Sequence, residues 1–332
     1  MPNHYINEEI VIKILICGAT GFIGRNMAMK FSNRNDVELH LTRYKRPEFN
    51  VKGAQWHQVD LRDSVSVDRL VDGMDIVIQA AATTSGAKDI VARPYIHVTD
   101  NAVMNSYLLR SVFEHKVKHF IFFSCTVMYE SSDNGLKELD FDANTPLHPR
   151  YFGVGNTKIY IEKMCEFYSK ICDTKFTAIR HSNIYGRFDK FDLERSHVFG
   201  ATITKVLKAE SVVSVWGTGE EERDLLHADD LADFVNSVIE KQSEGYRLYN
   251  CGTGKAISII DLVKKIVKLS GRDLRIEHDL TQPTIKTSLF LDCGLAEEEL
   301  GWRPKIALDD GIAATIDWWR NNVDPISLIN KN

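Results

Sequence analysis

Runs of apolar residues alternate with amphipathic stretches along the first half of the chain. Ile10-Val11-Ile12-Lys13-Ile14-Leu15-Ile16-Cys17 is almost wholly apolar, the mark of a strand buried on both faces, and a helical stretch ending near Phe31 follows it. Val37–Leu41 and Gln55–Val59 predict the second and third strands, the latter ending at Asp60-Leu61. Val65–Leu70 begins a helix, Asp75–Gln79 is a fourth strand, and Thr99–His115 is a long amphipathic helix. His119–Ser124, a helix over Thr157–Lys170 and a strand over Phe176–Ile179 complete the series. Such alternation predicts an α/β fold, a doubly wound parallel sheet with helices on both faces and a ligand crevice at the strands' C-terminal ends. Beyond about residue 185 the pattern loosens into loops, short strands and helices, with no repeats and no low-complexity linker.

Between the first strand and its helix stand Gly18, Gly21 and Gly24. Glycines there let the backbone turn tightly and approach a ligand, and the helix start offers free N–H groups to a pyrophosphate. The spacing is G-x-x-G-x-x-G, not the commoner G-x-G-x-x-G, and a glycine triplet alone also serves an ordinary strand–helix turn. With the strand before and the helix after, it predicts a Rossmann-type dinucleotide site of Gly18, Thr20, Gly21, Phe22, Ile23 and Gly24. The dinucleotide domain is expected over 10–182. A smaller C-terminal substrate lobe is expected over 183–325, with some segments free to return to the first sheet. At the end of the second strand NAD would call for an acid, but Thr42-Arg43-Tyr44-Lys45-Arg46 stands there. Arg43, helped by Arg25, can pair with a 2′-phosphate; the bland alternative is a solvated basic loop. NADP is therefore expected ahead of NAD.

Composition narrows the function classes. A chain of 332 residues with 44% apolar content can fill a large core. A net charge of −5 gives no reason to expect nucleic acid or an anionic membrane as partner. The six cysteines are scattered without a C-x-x-C pair, which suggests reduced thiols in a cytoplasmic protein and no metal site. Residues 1–9 are too polar and acidic for a signal peptide, and no apolar run approaches the roughly 18 residues of a membrane span.

The glycine pattern, Asp60-Leu61, Ala80-Ala81-Ala82 and Arg180-His181-Ser182-Asn183-Ile184-Tyr185-Gly186 together resemble the extended short-chain dehydrogenases/reductases. These are the nucleotide-sugar epimerases, dehydratases and reductases. Val215-Trp216-Gly217-Thr218-Gly219, Arg223-Asp224, His227-Ala228-Asp229-Asp230-Leu231 and Leu300-Gly301-Trp302-Arg303-Pro304 extend the likeness over essentially the whole chain. Ser196-His197-Val198, Lys205, Trp216 and Arg223 are most similar to the GDP-L-fucose synthase branch. The resemblance implies hydride transfer between NAD(P) and a nucleotide-linked sugar, with C4 of a GDP-sugar the expected position. It adds Asp60, Leu61, Ala80, Ala81 and Ala82 to the cofactor contacts, and implies a homodimer packed through the two long helices. Asn183, His197, Lys205, Trp216 and Arg223 become the substrate set. Lys205 and Arg223 can neutralise a diphosphate, Trp216 can flank a base or sugar, and His197 is implied in acid–base chemistry, against a plain surface or cap role.

The catalytic centre departs from the family pattern. That pattern is an Asn, a Ser or Thr, and a Tyr four residues before a Lys whose charge lowers the phenol pKa. Asn101 and Lys158 match, but Val154 occupies the Tyr position and Cys125, between Ser124 and Thr126, the Ser/Thr position. The candidates for chemistry are thus Lys158, Cys125, Asn101, His197 and Ser124. Three alternatives stand open. Another donor (Cys125, Tyr151, His197 or water) serves, the chain is a disabled binder of cofactor and sugar, or Tyr151 or Tyr160 reaches the site. Cys125-Thr126-Val127 also replaces the Thr-Asp-Glu of the 4,6-dehydratases, and Val127 replaces the epimerising Cys of the fucose synthases. Hydride transfer survives these losses; water elimination and 3,5-epimerisation lack their acids and bases.

Overall fold

A computed structural model describes residues 11–83, 93–193, 196–282 and 288–323; the expectations for residues 1–10 and the last two residues of the proposed lobe fall outside them. The first half runs β1 (Ile12–Cys17), α1 (Phe22–Phe31), β2 (Val37–Arg43), β3 (Gln55–Gln58), α2 (Ser64–Val71), β4 (Ile76–Gln79), α3 (Pro94–Glu114), β5 (His119–Phe123), α4 (Phe152–Ser169) and β6 (Lys175–His181). The second half continues with β7 (Asn183–Tyr185), α5 (Val198–Lys208), β8 (Val212–Trp216), β9 (Glu222–Arg223), β10 (Leu225–His227), α6 (Ala228–Lys241), β11 (Tyr246–Cys251), β12 (Ile257–Ser258), α7 (Ile259–Ser270), β13 (Arg275–Asp279), α8 (Gly294–Leu300) and α9 (Leu308–Asn322).

Seven strands form one parallel sheet in the order β11-β6-β5-β4-β1-β2-β3. Its strand order reverses direction between β1 and β4, where an open α/β sheet leaves a crevice. Alternation along β1 sends Ile14 and Ile16 to one face, against Met27, Phe31, Leu231 and Trp302. Leu15 and Cys17 go to the other, against Leu108, Val112 and Ile161. A third core, with Tyr185, Phe199, Ile203, Leu262, Ile312 and Trp319, belongs to the second half. That half also returns to the sheet: β11 pairs with β6 from Tyr246 opposite Phe176 to Cys251 opposite His181.

The two long helices begin earlier than their periodicity suggests. Pro94 starts α3 where its missing N–H costs nothing, and α4 starts at Phe152 despite two glycines in its first turn. Those glycines serve packing: a Cβ on Gly153 would come within 2.9 Å of Val98, and one on Gly155 within 2.6 Å of Leu147. Among the described residues no helix is long and apolar enough to cross a membrane. Nor, among them, does any group of His, Cys, Asp and Glu have the makings of a metal site.

Candidate active site

The glycine turn is shaped by two close approaches. Gly18 has φ +73°, and a Cβ on it would meet the backbone of Ala81 at 2.6 Å. A Cβ on Gly24 would lie 2.3 Å from the Gly18 carbonyl oxygen. Only glycine fits either position. Gly18 N–H donates to Thr42 Oγ1 at 2.8 Å and Ala80 N–H to the Cys17 carbonyl at 3.1 Å, which ties the turn to β2 and β4. Gly21 precedes α1 without a side-chain cap, so the first-turn N–H groups are open to an anion. Gly18, Thr20, Gly21, Phe22, Ile23, Gly24 and Ala80–Ala82 thus gather at the C-terminal ends of β1 and β4, a cradle that fits a dinucleotide pyrophosphate.

Past β3, Leu61 is buried in the core and Asp60 takes an ion pair from Arg62 at 2.8 Å, which holds the Asp60 pKa down to about 2. Arg43 lies at the end of β2, but its Nε donates to Glu48 at 2.9 Å. An acid is therefore in reach after all, supplied five residues on by the loop. Two other cations face the cradle. Arg46 Nη1 donates to the Thr20 carbonyl at 3.3 Å. The Arg25 guanidinium lies 4.3 Å from the ring centre of Phe49 and 4.1 Å from that of Phe188, with its buried Nε unbonded. These groups border a cavity of about 340 Å³ with Thr20, Gly21 and Lys190. Phe188 holds a φ of +67°, a strained conformation for a bulky residue, in closing over Arg25.

On the other side of β4, Lys158 of α4 donates from Nζ to the Phe123 carbonyl at 2.7 Å and lies 4.5 Å from the Phe122 ring centre. Burial lowers its pKa, opposed by Cys125 and Glu162. Burial raises the Cys125 thiol, with Lys158 pulling the other way. Val154 lies one helical turn before Lys158. Val127 is 3.7 Å from the Cβ position of Gly155, so aliphatic side chains stand where the family pattern expects polar ones. Ser124 is fully buried and its hydroxyl donates to Glu162 at 2.5 Å; Glu162 in turn pairs with Arg180 at 2.7 Å. Ser124 therefore belongs to a core network and not to the cleft. Asn101 is buried too. Its Oδ1 accepts from Thr83 N–H at 2.9 Å and its Nδ2 donates to the His97 carbonyl at 2.6 Å, fixing the backbone after β4.

His181, at the end of β6, is a residue that motif spacing did not single out for chemistry. Its Nδ1 bonds the Ser182 carbonyl at 2.8 Å and its ring meets Phe123 edge-on, 6.1 Å between centres. Lys158 and His197 are within electrostatic reach, and burial pushes its pKa down to about 4. His197 precedes α5 and makes no side-chain cap; its crowded surroundings and the charge of Lys190 lower its pKa. Two turns along α5, Lys205 Nζ lies 5.1 Å from the ring centre of the exposed Trp216. Burial lowers the pKa of Lys205 and of Arg223. Asn183 begins β7, its N–H bonded to the Asp224 carbonyl at 3.0 Å. Of the alternative phenols, Tyr151 lies within electrostatic reach of Arg223. Tyr160 is exposed between α3 and α4 with its hydroxyl 3.3 Å from Ser106 Oγ.

Residues 14–252 match the model of the NAD dependent epimerase/dehydratase family. The chain is 28% identical over 320 residues to GDP-L-colitose synthase of Yersinia pseudotuberculosis, covering 93% of this chain and 98% of that protein. A GDP-L-fucose synthase of Azorhizobium caulinodans is 27% identical over 314 residues, 92% of this chain and 96% of its own length. Among solved structures, UDP-glucose 4-epimerase of Thermotoga maritima superposes with a TM-score of 0.83 at 24% identity, covering 94% of this chain and all of that one. By its glycine cradle, its parallel sheet and this full-length likeness, the chain belongs to the NAD-dependent epimerase/dehydratase family, within the extended short-chain dehydrogenases/reductases.

Proposed function

We propose that the protein transfers hydride between NADP and C4 of a GDP-linked sugar, as an oxidoreductase or a C4 epimerase. The observation that carries this reading is selective loss. The cofactor cradle and Lys158 are kept, while Thr126 and Val127 stand in place of the groups that elimination and 3,5-epimerisation need. The relatives named GDP-L-colitose synthase and GDP-L-fucose synthase support a guanosine diphosphate on the sugar. Bound NADP supplies or accepts the hydride. Arg25 and Arg46 would meet its 2′-phosphate, the α1 N-terminus its pyrophosphate, and Lys158 its nicotinamide-side ribose. In the second half, Lys205 and Arg223 would neutralise the sugar's diphosphate and Trp216 would stack on the base or sugar, within a lobe drawn mainly from 183–325.

A homodimer through α3 and α4 and a cytoplasmic location complete the proposal. The exposed aromatic residues Tyr95, Phe152, Tyr160 and Phe167 on those helices support the dimer. Val154 favours a second reading, a binder of cofactor and nucleotide sugar without turnover. Incubation with NADPH and 4-keto sugars, and with NADP and 4-hydroxy sugars, linked to GDP, UDP, CDP and dTDP, with the sugars analysed for inversion at C4, separates the two. Loss of nicotinamide absorbance with the GDP sugar is expected; tight binding with no change in any arm would favour the binder. Arg223→Ala should weaken the GDP-sugar by about 1.5–3 kcal/mol, the range for a hydrogen bond to a charged group, and leave NADP affinity unchanged. Calorimetric loss on the cofactor side instead would overturn the lobe assignment.

A further inference from the structure

We propose that His181 carries the sugar-oxygen proton that a phenol at position 154 would otherwise have handled, with Lys158 and His197 as its working neighbours. This rests on the hydride-transfer reading above and names the missing proton donor. One residue ties the cluster together: the Phe123 carbonyl holds the Lys158 ammonium at 2.7 Å, while the Phe123 ring abuts the imidazole of His181. Both groups thus flank Phe123 at the C-terminal end of β5, beside the end of β6, where this fold leaves its ligand crevice.

The ring's own bonding fixes its chemistry. A carbonyl oxygen only accepts, so the contact with Ser182 requires the proton on Nδ1 of the neutral ring. Nε2 then holds the lone pair, and no hydrogen bond from it is made among the described residues. Other polar candidates nearby are engaged elsewhere. Ser124 serves Glu162, Tyr129 OH donates to Asn250 at 2.9 Å, and Tyr160 pairs with Ser106. The Cys125 thiol is held protonated by burial and is a weak donor.

Burial disfavours a further proton on the ring, and so do Lys158 and His197 within electrostatic reach. A ring so placed is a reluctant base and a strong acid, the bias suited to protonating a reduced sugar oxygen. In reduction the ring acts as the imidazolium, protonated on both nitrogens: the carbonyl carbon accepts the hydride, the C=O π pair moves to oxygen, and oxygen takes the Nε2 proton. The neutral Nδ1–H ring that remains regains its proton from solvent. Oxidation runs the same transfers backwards.

The test has two arms. In the first, reduction of a GDP-4-keto sugar by NADPH is followed against pH for wild type, His181→Gln and His181→Gln with Val154→Tyr. Wild-type kcat should rise towards acid. His181→Gln should lose on the order of 10²–10⁴ of kcat, and its pH dependence, with KM and NADPH affinity little changed. Adding Val154→Tyr should restore part of the rate with a different pH profile. An unchanged rate and profile in His181→Gln overturns the proposal. If wild type reduces no 4-keto sugar, the GDP-sugar reading falls separately, and the second arm decides the cluster. In it, ¹⁵N-histidine NMR of the unliganded wild type should show an Nδ1–H tautomer for His181, with a titration that moves up when Lys158→Met is introduced. A His181 that is protonated on Nε2 when neutral, or that ignores Lys158, overturns the proposal.

Discussion

At the residue scale, the pairing of Arg43 with Glu48 is the reason the proposed 2′-phosphate contacts are Arg25 and Arg46. A guanidinium packed against the rings of both Phe49 and Phe188 is held in place. Arg25→Ala and Arg46→Ala should each weaken NADP by about 1.5–3 kcal/mol in calorimetry and leave NAD nearly untouched. Arg43→Ala should matter less, because its fork is already partly satisfied. A larger loss for Arg43→Ala would return the 2′-phosphate to the end of β2. Position 154 provides a second test. A phenol introduced there in the native background has no established role and adds bulk beside Lys158, so Val154→Tyr alone should lower kcat. A strong gain would identify the chain as a disabled enzyme.

At the element scale, α3 and α4 show packing overriding local propensity. Gly153, Gly155 and Asn156 are poor helix formers, so periodicity places the helix start at Thr157. The close contacts of Gly153 with Val98 and of Gly155 with Leu147 instead carry α4 back to Phe152. Tyr151 becomes the residue before the helix, within electrostatic reach of Arg223. The outer surface of the pair leaves Phe152, Tyr160 and Phe167 exposed. Sedimentation at micromolar concentration should show a dimer, and Phe152→Asp with Phe167→Asp a monomer of unchanged circular dichroism. A monomeric wild type would rule the helix-pair dimer out.

At the scale of the molecule, the stretch from Gly186 to Lys190 passes over α1, with Arg187 bonded to Asn26 and Phe188 against Arg25. It leaves Asp189 buried, with Oδ1 accepting from Lys190 N–H at 2.7 Å and Oδ2 without a hydrogen bond. Burial pushes its pKa from 3.8 up to about 7. Between those values the native state keeps a proton that the unfolded chain has lost, so stability falls as pH rises through that window. Three units correspond to at most about 4 kcal/mol. Asp189→Asn should therefore raise Tm more at pH 8 than at pH 5. An equal gain at both would mean that the carboxyl is ionised in the fold at little cost.

The sequence by itself determined the local grammar: β1, the glycine turn and α1, the parallel strands, the family motifs, and the absence of a phenol at position 154. These are legible because a strand buried on both faces needs an apolar run, and a left-handed turn against Ala81 accepts only glycine. Only the tertiary structure decided which groups meet across long separations. It gave β11 to the first sheet, Glu48 to Arg43, Ser124 to Glu162 and Phe188 to Arg25, and it set His181 and Lys158 about Phe123. No periodicity encodes such partners, because side-chain pairing is settled by which strand ends and loops converge. Hydrophobic pattern specifies the elements; the packed sheet chooses their neighbours.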